Sequence, residues 1–206
     1  MAEHKRIPNT RKATLAVSSY LSHRFYIAVI VRVPVASSVL LGLTLALVST
    51  TVKAQDPLSL TDVRTAYRAA CMAPANSEVV TAFIRNAEDW VGSDSTSAFA
   101  QGLLATARMM RAETQYNPLE KLMTFQAQRD PLEAAIASDP DHPELRLFRL
   151  SIQWSVPFFL DYASNMDEDA DRVAAALDAG YWADDAEQGA FALTFLQHLN
   201  DDASER

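Results

Sequence analysis

The chain has 206 residues, five glycines, one cysteine and a formal net charge of −8. Residues 1–54 hold seven Lys or Arg and one Glu, whereas residues 55–206 hold eleven Lys or Arg and twenty-five Asp or Glu, so the two parts carry +6 and −14. The acidic body repels phosphate backbones, which argues against nucleic-acid binding, and a lone cysteine excludes an internal disulfide.

The first recognisable element is VRVPVASSVLLGLTLALVSTTVKAQ, residues 31–55. Arg32 gives a basic start and Val39 to Val48 an apolar stretch. Val52 and Ala54 stand three and one before the Ala54–Gln55 bond. This is the order of a secretory signal peptide, residues 31–54, cleaved between Ala54 and Gln55. Residues 1–30 precede it with Lys5, Arg6, Arg11, Lys12 and Arg24 and no helical period. They read as an extension outside the folded protein, with translation starting at Val31 or Val33, because a bacterial GTG codon is valine within a gene and methionine at a start. Export to the periplasm or the extracellular space is the expected address. The alternative is an anchored protein: Phe25 to Val48 is long enough to span a bilayer, which takes about 20 apolar residues. A central arginine such as Arg32 costs about 2.5–3.5 kcal/mol there.

Residues 55–206 suffice for a single domain with its own core, and they read as helix after helix. The first is expected over 59–72, where Ser59 and Asp62 suit a capping box and Leu60, Val63, Tyr67 and Cys71 share a face. On that face Cys71 reads as a buried structural thiol. The second, over 77–91, is capped by Ser77 and turns Val80, Phe83, Ile84, Ala87 and Val91 inward. A third, over 96–114, aligns Phe99, Leu103, Ala107 and Met110, with Gly102 permitting close helix contact. Asn117-Pro118 opens a fourth over 119–138, which Pro131 kinks or divides.

The fifth, over 142–155, follows the start signal Asp141/Glu144 and is the most apolar, which marks it as central. A sixth begins at Asn165 or Asp167 and stops at Gly180, with Val173, Ala176 and Leu177 inward. The last, over 185–199, aligns Phe191, Phe195 and Leu199. The expected class is therefore all-α, built of antiparallel helical hairpins joined by short turns. The aromatic cluster Trp154, Phe158, Phe159 and Tyr162 around Pro157 is expected in the core. Tyr181-Trp182 is expected to anchor the loop between the last two helices.

Little in the polar residues points to catalysis. Asp167, Asp169 and Asp171 have the spacing of a calcium loop, but Arg172 stands where that loop needs glycine, and the acids fit a helix N-terminus better. His142 and His198 lack the paired spacing of a helical zinc site. Neither a nucleophile elbow nor a phosphate-binding glycine loop is present. No metal or cofactor is expected. The most informative polar residues are His142, Arg146, Arg149 and Gln153, at i, i+4, i+7 and i+11 on one stripe of the fifth helix. As a binding surface, this stripe would receive the carboxylates of a protein or peptide partner. As a structural feature, its arginines would pair with acids of the same domain, such as Asp139 or Asp161.

The stretch LEAAIASDPDHPELRLFRL, residues 132–150, resembles the end of a tetratricopeptide repeat running into the next helix. Leu132, Ala135, Ile136 and Pro140 stand at that repeat's packing and terminal-proline positions. Asn117-Pro118, Ala135-Ile136, Asp139-Pro140, ELRLFRLSIQ from Glu144 to Gln153, Pro157, Phe159-Leu160 and Tyr162 also resemble a group of exported bacterial helical proteins of uncharacterised activity. The first resemblance implies a helical-hairpin, TPR-like fold; the second implies export and supplies no catalytic residues. The expected function is a non-catalytic binding or scaffold protein of the cell envelope, and the rival is an enzyme assembled from scattered polar groups.

Overall fold

A computed structural model of the chain describes residues 58–204; the signal segment, its Ala54–Gln55 bond and residues 1–30 lie outside them. Among the described residues there are seven α-helices and no strand. They are α1 Leu60–Met72, α2 Ser77–Ser93, α3 Ala98–Met110, α4 Pro118–Ser138, α5 Pro143–Ser155, α6 Met166–Asp178 and α7 Ala186–Ser204. Two short 3-10 turns, Arg111–Thr114 and Phe158–Leu160, follow α3 and α5. No helix among them is long and apolar enough to cross a membrane.

Local chemistry explains where these helices begin and end. Ser59 and Asp62 close a reciprocal capping box on α1. The cap of α2 is Asn76, one residue before the expected Ser77; its side-chain oxygen accepts from the N–H groups of Glu78 and Val79. Ser97 and Asn117 cap α3 and α4 in the same way. Pro131 does not divide α4, which is one helix from Pro118 to Ser138. α6 ends at Asp178 and is closed by Gly180, whose φ of 72° is the left-handed conformation glycine adopts freely. There the N–H of Gly180 bonds the Leu177 carbonyl and that of Tyr181 the Ala176 carbonyl, a Schellman closure. Asp185 caps α7 by accepting from the Gln188 N–H at 3.0 Å.

Successive helices pack on one another: α1 on α2, α2 on α3, α3 on α4. α5 lies against α3, α4 and α6, and α7 packs on α6 and returns to α1. This closes the array around α5, in which every residue from Glu144 to Gln153 is buried. The core runs through Tyr67, Phe83, Leu103, Leu132, Leu145, Leu147, Phe148 and Leu150. Full burial of one such side chain contributes roughly 1.5–3 kcal/mol. Tyr67 lies edge-on to Phe148 at 4.8 Å and joins α1 to the central helix.

Gly102 is where α3 meets α5. A Cβ there would stand 2.2 Å from Leu145 Cδ2 and 3.3 Å from Ala135 Cβ. Leu145 is fully buried, so a shift of its side chain disturbs the close-packed core around it. Gly102→Ala should therefore lower the melting temperature: overpacking costs about 1–3 kcal/mol, more than the roughly 0.8–1 kcal/mol gained in helix propensity. An unchanged or raised melting temperature would show that the contact relaxes.

Candidate functional site: two buried ionic clusters and an exposed aromatic turn

The stripe on α5 faces the interior. Arg146, Arg149 and Gln153 are buried and His142 is half-buried, and α6 packs on α5 against the two arginines. The carboxylate that receives the two guanidiniums is Asp169 of α6, not Asp139 or Asp161. Arg146 Nη1 donates to Asp169 Oδ1 at 2.9 Å, while Arg149 donates to both carboxylate oxygens, at 2.7 and 2.8 Å. Asp169 is completely buried. Arg146 also donates to the Pro140 carbonyl, at 2.8 and 2.6 Å, and Arg149 to Glu133 Oε2 at 2.7 Å. The middle acid of the 167–171 acidic run is thus an interior anchor rather than a calcium ligand. No cluster among the described residues is suited to hold a metal ion.

A second cluster lies between α1, α5 and α7. Glu144 is 1% exposed. It accepts from Arg64 Nε at 2.7 Å, Trp182 Nε1 at 2.8 Å and Gln188 Nε2 at 3.3 Å. Burial pushes its carboxyl above the usual range, against the opposing pull of Arg64 and the two neutral donors. Arg68 extends the cluster to Gln188 at 3.0 Å and Glu187 at 2.8 Å. Trp182 therefore anchors the loop before α7, as expected of the Tyr181-Trp182 pair, while Tyr181 stays partly at the surface.

His142 stacks on Phe99 with ring centroids 5.4 Å apart, and its Nδ1 has no hydrogen-bond partner. Burial holds its pKa below the ordinary value; Arg64 acts in the same direction and Asp139 opposes. Since the folded state resists protonation, the unfolded chain takes up the proton first as pH falls. Stability from this group is present above the ordinary histidine range of about 6.5 and is lost as pH falls through it. His142→Phe keeps the stack and removes the proton. The melting temperature of the unaltered protein should fall relative to His142→Phe on acidification below about pH 6.5, and parallel profiles would refute this. Gln153 is buried with neither amide atom paired. Cys71 is a free, half-buried residue whose thiol is pushed up to about 12 by burial, which disfavours the thiolate at neutral pH.

The aromatic cluster around Pro157 divides, which corrects the expectation that all of it is core. Tyr162 is buried and Trp154 half-buried, but Phe158 is 87% and Phe159 70% exposed. The 3-10 turn Phe158–Leu160 turns both rings outward. Its mount is firm. Tyr162 donates to Glu133 Oε1 at 2.5 Å, lies edge-on to Phe125 at 5.4 Å, and has Arg129 over its ring at 5.0 Å. Asp161, just before it, has a φ of 48°, a left-handed conformation that aspartate tolerates better than most residues with a side chain. Nothing in the sequence separates these two outward phenylalanines from inward ones.

Comparison with protein-family models, with curated proteins and with solved structures gives no match.

Proposed function

We propose that the chain is an exported, non-catalytic binding module of the cell envelope, made of TPR-like helical hairpins, that engages a protein or peptide partner through Phe158 and Phe159. The observation that carries this reading is the outward pair of rings on a turn pinned from behind by Tyr162. Rigid aromatic anchors supply contact area at little entropic cost when they bind, and two adjacent exposed phenylalanines have no role in the core. The reading of export rests on the order of residues 31–55, with the first packed helix starting at Leu60, shortly after Gln55. The arginine stripe is a structural element in this reading, since Arg146 and Arg149 are buried against Asp169.

Two measurements test the proposal. A photo-crosslinking phenylalanine analogue at position 159 should give a discrete protein or peptide adduct in native cells, and the same analogue at the exposed Glu78 should not. No adduct, or the same adduct from both positions, sinks the binding role. Phe158→Ser/Phe159→Ser should alter stability by no more than about 0.5 kcal/mol, as exposed positions do; a larger loss would make the pair structural. For the address, mass spectrometry of protein from native cell fractions should find a chain starting at Gln55. A membrane-bound chain retaining the residues before Val39 would instead make the apolar segment an anchor.

A further inference from the structure

The outer side of α4 is a second surface, separate from the aromatic turn and independent of it. α4 is apolar on two sides. Phe125, Leu132, Ala135 and Ile136 are buried inward. On the other side Leu119, Met123, Ala127 and Pro131 recur at every fourth position and Ala134 continues the line; all are exposed, Leu119 at 62% and Met123 at 61%. A helix apolar on both sides is normally covered on both. Towards its C-terminal end, Pro131, Ala134 and Ser138 form with Ala98 and Gln101 of α3 a cleft of about 500 Å3, with Asp139 also lining it.

Both signs of charge occur on α4, but its two cations have partners elsewhere. Lys121 pairs with Glu113 at 3.7 Å and Arg129 lies over the Tyr162 ring. Glu133 is held by Tyr162 and Arg149. The remaining charged side chains of α4 are Glu120 and Asp130, both exposed and neither in an ion pair among the described residues. Pro131 has no N–H to give the Ala127 carbonyl, which therefore lacks its usual i+4 helical donor.

We propose that this face is the docking site of a cationic amphipathic helix. Aliphatic side chains at i, i+3 or i+4, and i+7 of that helix cover Leu119, Met123 and Ala127 and enter the cleft. Lys or Arg beside them meet Glu120, Asp130 and Asp139. Charge selects this occupant over a second copy of the chain, which would bring another body of net charge −14 onto an acidic face.

The test uses the purified protein and three fluorescent peptides followed by anisotropy. One is an amphipathic Leu/Lys helix, one has the same composition scrambled so that the leucines share no face, and one has Glu in place of Lys. The Leu/Lys helix should bind saturably at one per chain and weaken with salt. Met123→Arg and Ala127→Arg should each weaken it about tenfold or more with the melting temperature retained, and Phe158→Ser/Phe159→Ser should leave it unchanged. Four results overturn the proposal. The scrambled peptide binds as tightly, so charge alone acts. The Leu/Glu peptide binds as tightly, so charge selects nothing. Ala127→Arg leaves binding intact, so the site is elsewhere. The free protein is a dimer that Ala127→Arg dissociates, so a second copy is the occupant.

Discussion

Replacing Asp169 with alanine is expected to destabilise the domain by about 3–5 kcal/mol, the range for removing one member of a buried ion pair, and this is enough to unfold many domains. The magnitude follows from what is left behind. Arg146 and Arg149 are 5% and 3% exposed, and without Asp169 both guanidiniums lose their buried counter-charge. Glu133 and Glu168 lie nearer the surface and offer Arg149 and Arg146 only partial replacement. Asp169→Asn should be milder, because it keeps an acceptor while removing the charge. The decisive comparison is Asp169→Leu with Arg146→Met and Arg149→Met. Apolar replacement of a whole buried ionic group is often neutral or stabilising, so the triple variant should recover most of the loss in urea unfolding. A triple variant as unstable as Asp169→Ala would mean that the cluster holds α6 on α5 by geometry as well as by charge neutralisation.

The second large effect is expected at Glu144. Its substitution by alanine removes the acceptor for Arg64, Trp182 and Gln188 at once. A loss of about 3–5 kcal/mol follows, chiefly from the guanidinium of Arg64 left buried beside Asp185, to which its Nη1 stands 3.6 Å away. Glu144→Gln keeps an oxygen for the Trp182 indole and should lose less. The two variants separate charge from hydrogen bonding: equal losses would show that the charge on Glu144 carries the effect, and a small loss for both would show that Asp184 and Asp185 satisfy Arg64 unaided.

Glu144 also shows how far the sequence can be read. Its position after Asp141-His142-Pro143 suits the first turn of a helix, and α5 does begin at Pro143. That the same carboxylate also anchors α1 and the loop before α7 depends on contacts across 80 and 38 residues, which no local pattern carries. The helices themselves are legible because each needs only its own period and caps: Ser59/Asp62 and Asn117-Pro118 lie at the ends they mark, and Asn76 displaces Ser77 by one residue because both are competent caps. Pairing of the arginine stripe with acids of its own domain is one of two readings that follow from its place on an otherwise apolar helix. The identity of the acid does not, since the rotation of α6 against α5 decides which of the aspartates in 167–171 faces inward. Phe158 and Phe159 read as core by composition and point outward because of a 3-10 turn that their sequence does not announce. The outer face of α4 escapes periodicity for the opposite reason: apolar residues on both sides of a helix cancel the signal that one side would give.

The return of α7 to α1 has a consequence for how this protein folds and evolves. In an open stack of helical repeats each unit touches only its neighbours, so units can be gained, lost or unfolded one at a time. Here the first and last helices are tied by Arg68, which reaches Gln188 and Glu187 about 120 residues along the chain. Deleting α7 would uncover α1 and leave Arg68 without those partners. Inserting a helix pair would separate the two ends of the circuit. The domain should accordingly melt in one cooperative transition reported alike by Trp182 in the α6–α7 loop and by probes on α2. Closure of so long a loop must precede its reward, so folding should be slower than in an open helical stack of the same length.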